Sequence, residues 1–174
     1  RQEDASEEIL SDAGNIQGAG KMLLALINDI LDFSRIEAGR MDIVPVNYRS
    51  AEMISEVVNM INLQAKAKGL SFEAHLDPDT PSGLYGDEIR IRQIIVNLVN
   101  NAVKYTETGR VYLYTRVERD EDGQTKLIVT VSDTGIGIKP EDMEKLFSKF
   151  ERIEEERNRN IEGTGLGMNI TRRL

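Results

Sequence analysis

The spacing of apolar positions changes from segment to segment along this chain, and each spacing predicts an element. From Ile9 the steps alternate four and three through Ala13, Ile16, Gly20, Leu23, Ile27, Ile30 and Ser34, the seam of a coiled coil or helical bundle. A second line, Leu10, Gln17, Leu24 and Leu31, widens the apolar face, as in a four-helix bundle where a helix has more than one neighbour. Residues 1–8 are polar and acidic and are expected to fray, and Gly39 is a plausible stop. Arg40–Tyr48, with Pro45, reads as a short strand or edge. Met53, Ile54, Val57, Val58, Ile61 and Ala65 share one face of a helix over 50–68 that Gly69 closes. Leu70–Leu76 alternate as a strand, and Asp77–Gly86, with two Pro and two Gly, reads as a loop. A third helix runs from Asp87, its N-cap, to about Tyr105. After a turn at Gly109, Val111–Val117 and Leu127–Val131 are strands joined by the charged loop Glu118–Thr125. Pro140 opens a short helix near Glu141–Leu146, residues 151–162 are charged without apolar rhythm, and a glycine-rich stretch, Gly163–Gly167, leads into a last helix.

This order predicts an α+β fold with helices layered on one face of a mixed sheet, preceded by a long helix that stands apart. The expected division is residues 1–40 and residues 41–174. Composition then narrows the chemistry. Among 174 residues there is no Cys and one His, which excludes disulfides, thiolate metal sites and a two-His zinc motif. The 22 basic and 30 acidic residues give a net charge of −8, and no basic patch suggests nucleic acid as a partner. No apolar run approaches the ~20 residues of a membrane span, and the N-terminus does not read as a signal peptide. The expectation is a soluble, cytoplasmic chain without membrane contact.

Three segments carry candidate chemistry. Asn97, Asn101 and Lys104 fall at i, i+4 and i+7 on one face of the third helix, with Ile91, Ile94, Ile95, Leu98 and Ala102 on the other. Two amide oxygens one turn apart suit a hard cation such as Mg²⁺, which takes phosphates as further ligands, and a lysine one turn on suits those phosphates. Alone, the same pattern also suits a solvated helix face. Asp133-Thr-Gly135-Ile-Gly137-Ile138 follows a strand, so the Asp133 carboxylate can accept from an exocyclic amine such as that of adenine, and the glycines allow close approach to a flat ligand. It could equally be an ordinary turn. Glu162-Gly163-Thr164-Gly165-Leu166-Gly167 leads into a helix, whose free N–H groups favour phosphate. It lacks the Gly-Lys-Ser/Thr ending of a P-loop and the βαβ context of a dinucleotide fingerprint.

Taken in order, these motifs resemble the catalytic ATP-binding domain of sensor histidine kinases, a family sharing its fold with DNA gyrase, the heat-shock chaperone and mismatch-repair ATPases. Asn97–Thr106 resembles the N box, Asp133–Ile138 the G1 box, Phe147-Ser-Lys-Phe150 the F box and Gly163–Gly167 the G2 box. Leu23–Arg40, containing Leu-Ile-Asn-Asp-Ile-Leu-Asp-Phe-Ser-Arg-Ile-Glu-Ala-Gly, resembles the second helix of the dimerisation and phosphotransfer hairpin. The resemblance implies a Bergerat-type two-layer α/β sandwich with a mixed sheet, ATP and Mg²⁺ as cofactors, a homodimeric parent and a response-regulator receiver domain as partner. It implies that Asp133 binds the adenine amino group, Asn97 and Asn101 hold Mg²⁺ and phosphate, and Lys104 contacts phosphate. It further implies that Tyr105 lies near adenine or ribose, that Gly135 and Gly137 shape the adenine loop, and that Gly163, Thr164, Gly165, Leu166 and Gly167 line the phosphates. Tyr105 would equally suit a core aromatic. Residues 147–162 would form a lid over ATP, with Phe147 and Phe150 as packing anchors.

Two departures bear on activity. ATPases of this fold carry a glutamate where this chain has Asn97, and a neutral amide is no general base, so water attack should be poor. The family's acceptor histidine stands in a His-Glu-x-Arg/Lys motif, which this sequence lacks; His75 lies in an alternating strand and reads as a surface or edge residue. The first hairpin helix and two final strands of the family pattern are expected to be missing, leaving the sheet incomplete and self-phosphorylation on the usual histidine impossible. The expected function is phosphoryl transfer from ATP to a histidine. An ATP hydrolase of the same fold and a non-catalytic helical dimerisation module remain alternatives.

Overall fold

The computed structural model describes residues 2–121, 124–143, 145–147 and 165–174, with side chains from residue 9 onward except that of residue 147. The chain divides into two compact units, residues 1–41 and residues 42–174. The first is a single helix, α1 (Gln2–Glu37). Its described main chain is helical from Gln2. It ends where Gly39 adopts φ +62°, with Arg40 N–H donating to the Arg35 carbonyl and Gly39 N–H to that of Ile36, the paired bonds that close a helix end. Its apolar line is exposed, Ile9, Ile16 and Leu23 among them.

The second unit holds β1 (Val46–Arg49), α2 (Ser50–Ala67), β2 (Ser71–Leu76), β3 (Gly83–Gly86), α3 (Glu88–Tyr105), β4 (Arg110–Arg119), β5 (Thr125–Asp133) and α4 (Gly167–Arg173). β4 is the centre of a mixed sheet. It runs parallel to β2, with Phe72 opposite Val111, and antiparallel to β5, with Leu113 opposite Val131. Val111, Leu113 and Thr115 alternate inward along β4. Helices α2 and α3 cover that face. Met53, Ile54, Val57, Ile61 and Ala65 of α2 meet Ile95, Val99, Ala102 and Val103 of α3 in one core.

Three sequence expectations change. The segment expected to be all loop, Asp77–Gly86, contains β3, which pairs antiparallel with β1 as a separate two-stranded sheet, Tyr48 opposite Leu84. A tolerance for Pro and Gly hides such a strand because only a distant partner makes it one. The helix expected near 141–146 is two single 3₁₀ turns, Pro140–Asp142 and Lys145–Phe147. On α3 the buried stripe is Ile95, Val99, Ala102 and Val103, while Ile94 and Leu98 are only half-buried. The helix is thus rotated from the face that composition alone suggests. His75 lies exposed on β2, the edge of its sheet, stacked on Tyr114 with ring centres 5.2 Å apart.

Candidate functional site

Helix α3 is the axis of the site, and Asp87 starts it. One carboxylate oxygen accepts the Arg90 N–H at 3.1 Å and the other accepts the Val44 N–H at 2.9 Å. Burial alone would push the Asp87 carboxyl up. The N–H groups of Val44, Arg90 and Ile89, with the Arg90 charge, outweigh it and hold the group below its ordinary value. From that cap the helix runs unbroken to Tyr105, placing Asn97, Asn101 and Lys104 along one side, all half-buried. The core stripe on the other side fixes the rotation of that row.

At the middle of α3, Asn97 meets α4. Its amide Nδ2 donates toward the Gly167 carbonyl at 3.4 Å and the Thr171 hydroxyl at 3.5 Å. A Cβ on Gly167 would lie 3.6 Å from the Asn97 amide, ordinary contact, so this glycine is not demanded by packing there. Leu166 is buried at 1% exposure and anchors the start of α4, and Gly165 turns with φ +70°. Gly163 and Thr164 lie outside the described residues, as do residues 148–162 of the expected lid, Phe150 included. Of Phe147 only the main chain is described, in the second 3₁₀ turn.

At its far end α3 meets the loop after β5. Asp133 is the last residue of β5 and is exposed. One of its oxygens accepts the Gly135 N–H at 2.9 Å, a local turn that fixes the carboxylate's direction. The Ile136 N–H donates to the Tyr105 carbonyl at 3.2 Å. A Cβ on Gly135 would lie 2.4 Å from that same carbonyl. Gly135 thus makes a close approach to the end of α3. Gly137, at φ +67°, has open space where its Cβ would stand, so its left-handed backbone is what favours glycine there. Tyr105 is half-buried, and the Lys104 ammonium lies 4.9 Å from its ring centre.

Two positions missed by motif reading pin this loop. Thr134 accepts the Arg110 N–H on its hydroxyl at 3.0 Å and donates its own N–H to the Arg110 carbonyl at 3.1 Å. Gly109, at φ +112°, has room for no side chain, since a Cβ would stand 2.1 Å from the Thr134 hydroxyl. Gly109 shows in the sequence only as a turn. Its pairing with Thr134 carries no local signal. The described contacts thus join Asn97 to Gly167, and Tyr105 to Gly135 and Ile136, with Asn101 and Lys104 between them along α3.

Known proteins resemble this chain in sequence and fold. Residues 86–174 match the family described as histidine kinase-, DNA gyrase B- and HSP90-like ATPases. The hybrid signal transduction histidine kinase B of Dictyostelium discoideum is 37% identical over 91% of this chain and 8% of its own length. The sensor histidine kinase GacS of Pseudomonas protegens is 37% identical over 92% of this chain and 18% of its own length. The chain therefore spans less than a fifth of either relative. Among solved structures, full-length ShkA in complex with AMPPNP superposes with a TM-score of 0.72 at 30% identity, covering 89% of this chain and 31% of that one. The catalytic domain of histidine kinase ThkA gives 0.57 at 30% identity, covering 74% of this chain and 79% of that one. With the fold, the ordered motifs and these matches in agreement, the chain belongs to the histidine kinase-, gyrase B- and HSP90-like ATPase family, as an ATP-binding domain of the histidine kinase kind.

Proposed function

We propose that this chain binds Mg-ATP and presents its γ-phosphoryl group to a histidine outside these 174 residues, which then passes it to a receiver domain. The single observation that carries this reading is the docking of the Asp133–Gly137 loop on the end of α3, through Ile136 N–H and the Tyr105 carbonyl. That bond supports the reading because it holds the Asp133 loop at one end of the same helix whose side row holds Asn97, Asn101 and Lys104.

Asp133 keeps one carboxylate oxygen on Gly135 and offers the other to the exocyclic amine of adenine. Lys104 supplies a charge to the phosphates. Asn97 and Asn101 hold Mg²⁺ by their amide oxygens. The donation of Asn97 Nδ2 to α4 supports this, because it leaves the oxygen as the amide's remaining ligand atom. The amides and the nucleotide's own phosphates would form the donor set. A Mg²⁺ held by Asn97 and Asn101 would supply positive charge beside the phosphates. Gly165 and Gly167 border those phosphates. An imidazole nitrogen then attacks the γ-phosphorus and ADP leaves. Asn97, a neutral amide, does not draw a proton from water, which favours transfer over hydrolysis. The exposed apolar line of α1 pairs with a second copy in the parent dimer. Among the described residues no helix is long and apolar enough to cross a membrane.

Asp133→Asn tests the site. Asn keeps the bond to Gly135 through its oxygen but sets an NH₂ where adenine's amine needs an acceptor. At nucleotide near 100 times its Kd the unaltered chain gains about 2.7 kcal/mol. The expected result is a clear thermal shift with a Mg-ATP analogue that Asp133→Asn abolishes. An equal shift in both would overturn the assignment.

A further inference from the structure

Helix α3 ends in an unusual way for this chain. Helices α1 and α2 both close on a glycine in the left-handed region, Gly39 and Gly69, with paired backbone bonds to the last carbonyls. At the end of α3 stands Thr106 in an extended conformation, φ −105° and ψ 116°. Its last carbonyls need other donors. The Thr106 hydroxyl donates to the Ala102 carbonyl at 2.7 Å. The Tyr105 carbonyl receives the Ile136 N–H of the adenine loop. The remaining three belong to one distant side chain. The Lys68 ammonium lies 2.8 Å from the Val103 carbonyl, 2.8 Å from that of Lys104 and 3.2 Å from that of Thr106.

An ammonium has three N–H donors, and here all three have an acceptor. The positive charge also sits at the negative end of the α3 dipole. The base of the side chain is fixed in turn. Lys68 is the residue that ends α2, held between the bonds from its own N–H to the Gln64 and Ala65 carbonyls and the bond from Leu70 N–H back to Ala65. Leu70 is buried, so this corner is anchored in the core.

We propose that Lys68 is a positioning residue for nucleotide binding. Its ammonium draws the last turn of α3 into one conformation, and so sets the Tyr105 carbonyl where Ile136 and Gly135 dock. Lys68 acts through that carbonyl on the Asp133 loop without touching nucleotide. The functional part of this inference rests on the ATP-binding reading above; the structural part does not.

The test is amide hydrogen exchange of Ile136 and Leu113, with ADP affinity by calorimetry, in the 174-residue chain and its Lys68→Met and Lys68→Arg variants. Leu113 lies on the central strand and reports global opening, whereas Ile136 reports the loop. Bonds from a charged donor are among the stronger ones, so Lys68→Met is expected to speed Ile136 exchange and weaken ADP each by about tenfold. Leu113 is expected to keep its rate, and Lys68→Arg to restore most of both losses. If Lys68→Met does not fold, Lys68→Gln is measured the same way. Unchanged Ile136 exchange, or Leu113 accelerating as much as Ile136, overturns the inference. If the unaltered chain has no affinity for ADP, the ATP-binding reading fails instead, and the exchange result still decides whether Lys68 positions the loop.

Discussion

Asn97 donates its amide N–H toward the carbonyl of Gly167, 3.4 Å away and 70 residues further along the chain. The bond ties the middle of α3 to the first turn of α4 and orients the amide. Thr171, 3.5 Å from the same nitrogen, shares the task. Removing the Thr171 hydroxyl should leave the fold intact and loosen the amide's orientation. Thr171→Ala is expected to weaken Mg-ADP by a few fold, at a stability cost of about 1 kcal/mol or less. Asn97→Ala should weaken it more. Calorimetric titration with and without Mg²⁺, beside thermal unfolding, checks both.

The two glycines of the Asp133 loop should respond differently. Gly135→Ala sets a methyl against the Tyr105 carbonyl and is expected to cost about 1–3 kcal/mol. Gly137→Ala meets no atom, so only its left-handed backbone resists, at about 1–2 kcal/mol. Urea unfolding of the two variants gives the comparison. Exchange at Ile136 should rise for Gly135→Ala alone.

Asp87 predicts a pH dependence. Its carboxyl is held below the ordinary 3.8 in the folded chain, so the folded state binds a proton less readily than the unfolded one. The stabilisation is complete above the ordinary value and is lost as the pH falls through the lower folded value. Asp87→Asn removes the titrating group. The stability difference between the two proteins, measured by denaturant unfolding from pH 7 downward, should stay constant to about pH 5 and then shrink. Asp87→Ala should cost about 0.5–2 kcal/mol at neutral pH, as a lost helix cap does.

Phosphate release separates transfer from hydrolysis. With Mg-ATP and no histidine acceptor, the chain should release phosphate only slowly. Rapid turnover that Asn97→Ala abolishes would instead mark a hydrolase. Adding a separate histidine-bearing hairpin should yield phosphohistidine.

The line Ile9, Ile16 and Leu23 on α1 is exposed, an apolar stripe of the kind that associates. Sedimentation is expected to show concentration-dependent dimers of the chain. Leu23→Glu should shift them to monomer without altering nucleotide affinity.

Much of this protein is local, and the sequence alone determined it. The period of Met53, Ile54, Val57, Ile61 and Ala65 is the core face of α2, because a helix carries its repeat within a few residues. Asp87 at the start of α3 and the glycines that close α1 and α2 act on neighbours three to five positions away, within reach of pattern. The ordered boxes carry the family for the same reason.

Tertiary structure decided what depends on remote partners. Gly83–Gly86 is a strand because Val46–Arg49 lies beside it, although its own composition signals a turn. Which of the apolar residues of α3 are fully buried follows from α2 and β4, since Ile94 and Leu98 stay half-buried beside Ile95 and Val99. Gly135 serves the Tyr105 carbonyl, and Lys68 serves the carbonyls of α3, across sequence gaps that no period marks. A backbone acceptor at a helix end has no residue identity of its own, so only the folded chain reveals which donor satisfies it.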